Sequence, residues 1–156
     1  MVAAAALVGM ILILARDRGG SARLPFAAVT PAAAPFEEFG EARVGAGYRC
    51  LRVLVASNDA QRTRGLRDVR TLAPYDGMLF VNAHDTDARY TMASTPTPLD
   101  ITWYAAAGTP VDHTTMTPCP GTDATCPEYV SRARYRYALE RPAGAGGTGA
   151  LAACAA

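Results

Sequence analysis

Apolar and polar positions alternate with a two-residue period at several places in the chain, the spacing of strands that bury one face. Leu51, Val53 and Val55 alternate with Arg52 and Leu54, and a second strand fits residues 77–82. In residues 99–105, Leu99, Ile101, Trp103 and Ala105 share one face, while Asp100, Thr102 and Tyr104 share the other. Ala107-Gly108-Thr109 can turn the chain into a fourth strand at residues 111–116. After a loop rich in Pro and Cys, Tyr135, Tyr137 and Leu139 alternate with Arg136, Ala138 and Glu140 as a last strand. Ser57, Asn58 and Asp59 offer N-cap oxygens and Gly65 offers a stop, which predicts one short helix near residues 58–65. The pattern predicts a mainly β (α+β) domain over residues 48–144, with an antiparallel sheet curling into a small barrel.

The flanks read differently. Residues 2–15 are uncharged and apolar, closed by Arg16, Asp17 and Arg18. As a helix they would reach roughly 21 Å, against about 30 Å of hydrocarbon. Residues 1–18 are therefore expected to be a signal peptide or membrane anchor, with the membrane as a partner and the domain extracytoplasmic or secreted. Residues 19–47 carry Pro25, Pro31 and Pro35 among alanines and glycines and read as a linker. Residues 145–156 read as a disordered Gly/Ala tail. Within it, Leu151-Ala152-Ala153-Cys154 has the form of a lipoprotein cleavage box, but a box of that kind works only behind an N-terminal apolar segment. Neither flank shows apolar spacing suited to the core.

Composition adds exclusions. The chain is 156 residues long and 50% hydrophobic, enough for one domain, and much of that fraction is alanine. Lysine is absent, so the 15 basic residues are all arginine, and a net charge of +1 provides no field for general nucleic-acid binding. Arg62, Arg64, Arg67 and Arg70, like Arg132, Arg134 and Arg136, read as solvated faces rather than as phosphate or acidic-glycan sites. Cys119 and Cys126 enclose a short loop with Pro120 and Gly121, for which a disulfide is the economical reading, stabilising by about 2.5 kcal/mol. Free thiols and zinc compete, but two histidines and the lack of a Cys-x-x-Cys pair weaken the metal case, and no metal or cofactor is assigned. Cys50, inside a strand, reads as a small core residue. His84-Asp85-Thr86-Asp87 lacks the rest of a calcium loop and reads as a solvated turn. His113 beside Asp112 has the composition of a general base with its orienting carboxylate, but neighbours in a strand point to opposite faces.

Three blocks resemble the domain of unknown function 192 (DUF192) family: Thr63-Arg64-Gly65-Leu66-Arg67, Gly77-Met78-Leu79-Phe80-Val81, and Tyr90-Thr91-Met92 leading through Thr95 to Pro98-Leu99-Asp100-Ile101. Cys119, Cys126, Tyr129 and the run from Tyr137 through Glu140 to Gly144 resemble its closing segment. The resemblance implies a compact β-rich fold behind a signal peptide or anchor, and no established activity. Ala93-Ser94 stand where the family tends to carry Lys-Asn, which removes a cation and an amide from any site there. The family's final strand is expected to be missing. Asp100 sits in a strand whose other face is apolar, so an arginine partner is expected, with Arg64 the candidate. Arg64, Thr95 and Asp100 are the candidate ligand-binding residues. The leading reading is a non-catalytic binding module for an envelope partner or a small ligand. The alternative is a small hydrolase-like envelope enzyme using Asp100 with Arg64 or His113.

Overall fold

Alternating apolar side chains build ten strands and one helix over residues 28–146 and 149–154, which are the residues the computed structural model describes. In chain order these are β1 (Thr30–Pro31), β2 (Gly40–Ala46), β3 (Arg49–Ala56), α1 (Asp59–Arg64), β4 (Gly77–Thr86), β5 (Tyr90–Thr91), β6 (Leu99–Tyr104), β7 (Pro110–Met116), β8 (Glu128–Tyr129), β9 (Tyr135–Pro142) and β10 (Leu151–Ala152). The main sheet runs β1-β2-β3-β4-β9-β6-β7, with β10 also on β2, while β5 and β8 form a separate pair. Every pairing is antiparallel except that of β3 with β4. That parallel pair needs a crossover connection, and α1 lies within it.

The central strands are buried on both faces. One face carries Leu54, Met78, Phe80, Leu99, Ile101, Trp103 and Ala138, covered by the loops that hold Phe36, Phe39, Leu66, Leu72 and Met92. The other carries Val53, Val55, Leu79, Tyr137, Leu139 and Tyr104, against which β2 brings Ala42, Val44 and Ala46. Gly77 is required where β4 meets β9, because a Cβ there would collide with the Glu140 backbone carbonyl.

Several expectations need correcting. The small barrel does not form: β1 and β7 stand at opposite ends of the sheet order and no ladder joins them among the described residues. The two sides of the sheet approach at β10, where the Leu151 N–H donates to the Gly108 carbonyl in the β6–β7 turn at 2.8 Å. The region read as a linker contains β1 and all of β2, whose inward residues are too small to give a strong periodic signal. The region read as a disordered tail contains β10, so a short closing strand is present after all. Cys50 is exposed rather than a core residue and is bonded to Cys154, which ties β10 to the start of β3. Asp85 and Thr86, read as part of a turn, close the long β4 strand.

The membrane contact expected through residues 2–15 is also corrected. Among the described residues no helix is long and apolar enough to cross a membrane. Residues 1–27, which include the expected signal or anchor, lie outside those described. The membrane is accordingly not retained as a partner.

Candidate functional site

β9 is an inner strand between β4 and β6, and Glu140 lies on the face that the loops cover. Its cross-strand neighbours are Met78 on β4 and Ile101 on β6, both fully buried. Ala138 and Pro142 flank it along its own face. A carboxylate among four apolar neighbours loses its hydration, and Glu140 is only 5% exposed. Among the described residues nothing pairs with it, and burial alone pushes its carboxyl from 4.5 up to about 8.

Above this carboxyl is a cavity of about 350 Å³. One wall is α1 and the residues after it, from Asp59 to Arg67; the opposite wall is Arg89, Tyr90, Thr91, Met92 and Thr95, with Phe80 and Leu99 from the sheet. The helix is short but well terminated. Asn58 accepts the Gln61 N–H at 2.9 Å in a capping box, and Gly65 ends the helix at a φ of 47° that favours glycine. Arg62 pins α1 to the sheet by donating to the Val81 carbonyl at 2.8 Å. Across the cavity the Phe80 and Tyr90 rings meet edge to face at 5.2 Å, and Tyr90 packs on Trp103 and Tyr135 behind it. The Tyr135 hydroxyl donates to the Ala88 carbonyl at 2.8 Å and so holds the loop that delivers Arg89 and Tyr90. Burial, then the neighbouring Tyr135 and Glu140, raises the Tyr90 phenol well above its usual value.

The rim is charged but internally neutralised. Arg62 pairs with Asp59, Arg64 with Glu38 at 3.9 Å, Arg67 with Asp123 at 2.6 Å and Arg89 with Glu128 at 2.5 Å. A second, apolar cavity of about 440 Å³ adjoins the first, with Leu66, Thr95 and Leu99 lining both. Its further lining comes from Val69, Leu72, Pro74, Tyr75 and Pro142.

The candidates read from sequence separate into two places. Arg64 and Thr95 line the Glu140 cavity. Asp100 does not: it faces a smaller cavity of about 160 Å³, together with His113 and Arg141. The expected Arg64–Asp100 pair is absent. The Asp100 oxygens instead accept the Thr115 hydroxyl at 2.6 Å and the Gly144 N–H at 2.8 Å. Asp112 serves Arg132 rather than the His113 ring: it takes the Arg132 guanidinium at 2.7 Å and the backbone N–H of His113 at 2.9 Å. Hydrogen bonds from Arg132 lower its carboxyl to about 2. The cysteines form two disulfides, Cys119–Cys126 and Cys50–Cys154, the bonds of a protein that folds in an oxidising, extracytoplasmic compartment. Glu140 itself was not singled out by sequence reasoning, because its alternation with Leu139 suits a solvent face. No local pattern marks it, because its burial comes from the loops and helix that cover this face of the sheet.

The DUF192 family profile, described as an uncharacterized ACR, matches residues 42–150. No curated protein matches the chain. Similar crystal structures include the following two. A protein of unknown function from Novosphingobium aromaticivorans aligns with a TM-score of 0.63 at 20% identity, over 76% of this chain and 83% of that one. A candidate transcription regulator from Sinorhizobium meliloti aligns with a TM-score of 0.63 at 27% identity, over 72% of this chain and 93% of that one. The first likeness is one of fold. With the profile spanning well over half of its length, the chain belongs to the DUF192 family.

Proposed function

We propose that the protein is an exported, non-catalytic binding module whose small ligand occupies the cavity between α1, β5 and the sheet. The observation that carries this reading is Glu140, a buried carboxyl that faces the cavity with no partner among the described residues. Such a group costs stability unless something bound there satisfies it. The rest of the lining suits a ligand site, with apolar walls and a few convergent polar groups. Arg64 and Thr95 belong to this site, and Asp100, on β6, is a structural residue beside the smaller cavity. The enzymatic alternative loses its geometry: Arg64 and Asp100 face different cavities, and both Asp100 oxygens are already occupied beside His113. A net charge of +1 gives no reason to extend the regulator description of the Sinorhizobium protein to this chain.

A fragment screen by protein-observed NMR tests the reading. Shifts should concentrate on Tyr90, Met92, Thr95, Leu99 and Glu140, and Thr63→Trp, at an exposed position on the cavity wall, should abolish them. Shifts gathered instead around Asp100, His113 and Arg141 would return the site to the smaller cavity and overturn the assignment.

A further inference from the structure

Resting on that cavity reading, we propose that the ligand is a small amphipathic amine. Its ammonium group binds the Glu140 carboxylate, and its apolar part runs along Phe80, Tyr90 and Met92 toward the adjoining apolar cavity. The contrast between rim and floor decides the charge. Each rim arginine already has a carboxylate within ion-pair distance, so the rim offers an entering anion no uncompensated charge. Glu140 on the floor has no such counter-charge. With Glu140 ionised, the cavity and its paired rim carry one negative charge, which a monocation cancels. The walls agree with this sign, because Phe80 and Tyr90 line the cavity and aromatic rings accept cations as well as apolar groups. The neighbouring cavity, about 440 Å³ and lined mainly by apolar side chains, adjoins the first through Leu66, Thr95 and Leu99, and so gives an apolar tail somewhere to go.

The proposal has a proton signature. In the free protein the Glu140 carboxyl, at about 8, is protonated at neutral pH. Binding an ammonium ion ionises it and sends that proton to solvent. Charged groups around the cavity are Arg62, Arg64, Arg67 and Arg89 with their partners Asp59, Glu38, Asp123 and Glu128. Tyr90 lies well above the range in which Glu140 titrates and Tyr135 at about 12, so both stay neutral.

Calorimetry on the full chain with n-hexylamine, n-hexanol and hexanoate, in buffers of different ionisation enthalpy, reads this directly. Hexylamine should bind in preference to the other two and release about one proton per site at neutral pH. Its affinity should rise about tenfold per pH unit up to about 8 and then level off. Glu140→Gln should weaken it at least about thirtyfold while leaving hexanol binding in place. Thr63→Trp is the second variant and should block every probe. Binding of hexanoate or hexanol without hexylamine would overturn the cation and leave the cavity reading standing, as would hexylamine binding undiminished in Glu140→Gln. Failure of all three probes at millimolar concentration would overturn both.

Discussion

Two glutamates of this domain have been given opposite surroundings. Glu41 on β2 is enclosed by partners: Arg52 donates to both of its oxygens, at 2.8 and 3.0 Å, and the Tyr75 hydroxyl donates to it at 2.6 Å. Tyr75 in turn accepts the Ala33 N–H at 2.9 Å and lies 4.7 Å under the Arg52 guanidinium. The hydrogen bonds from Arg52 and then Tyr75 hold the Glu41 carboxyl below its ordinary value. Glu140, three strands away along the sheet order, has its carboxyl driven the other way by burial alone. The first arrangement fastens an edge of the fold. The second leaves an ionisable group without a protein partner at a cavity, and a group that stabilises nothing in the free protein is better explained by what it binds.

The sharpest test of that division is to unfasten the tied edge. Cys50 and Cys154 are 104 residues apart, and on the chain-entropy view a loop of that size stabilises by up to about 4–5 kcal/mol. Cys50→Ser with Cys154→Ser should therefore cause the largest loss of stability, seen in denaturant unfolding. NMR shifts of Tyr90, Thr95 and Glu140 should stay where they are. If the cavity shifts moved as far as those of β2 and β10, the two regions would not be separable.

Glu140→Gln should have the next largest effect, and in the opposite direction. Below 4.5 the folded and unfolded chains are both protonated at this position, and the carboxyl makes no difference. Between 4.5 and about 8 the unfolded chain ionises while the folded one does not, so stability falls as pH rises. The penalty is complete above about 8. The amide variant should match the parent in acid and exceed it by roughly 2–4 kcal/mol above about 8, less than the full shift implies because water reaches the cavity. Denaturation at the two ends of that range checks the sign. A Gln variant weaker than the parent at every pH would mean that Glu140 has a partner.

The same contrast explains what could be read from the sequence. Strands β3, β6 and β9 announce themselves through large apolar residues at alternate positions, β4 through an apolar run, and β7 through the turn before it. β2 does not, because Ala42, Val44 and Ala46 sit among Gly40, Gly45 and Gly47, and a strand built of small residues resembles a linker. β10 is two residues long and depends on Cys154, whose bond to Cys50 no local pattern reveals. Arg64 and Thr95 reached the cavity because they lie in the recognisable blocks. Asp100 was drawn to Arg64 by the expectation that a strand carboxylate needs a guanidinium, whereas a hydroxyl and a backbone N–H satisfy it. Glu140 stayed hidden because its environment depends on the loops and helix that cover its face of the sheet, a property of topology rather than of period.

Within the tied region, Tyr75→Phe removes one hydroxyl and two hydrogen bonds while keeping the ring on Arg52. A loss of about 1–2 kcal/mol is expected, together with a rise of the Glu41 carboxyl toward its ordinary value in an NMR titration. An unchanged Glu41 titration would show that Arg52 alone sets this site.

The smallest effect belongs to the cavity wall. Helix α1 has six residues, none of them buried, so it has no core of its own and too little length to stand alone. What holds it is the capping box of Asn58 and Gln61, the Arg62 bond to Val81, and the Gln61 side chain, which donates to the Glu38 carbonyl at 2.7 Å. Asn58→Ala removes the cap oxygen and should cost about 1 kcal/mol. Because Arg62 still anchors the helix, the loss should be local. Amide exchange should quicken at Gln61 and Arg62, the backbone of β2 and β3 should keep its protection, and Arg64 and Thr63 should lose their fixed places at the cavity mouth. Equal acceleration in β2 would mean that the helix and the tied edge open together through the Gln61–Glu38 contact, and the line between the two regions would have to be redrawn to include α1.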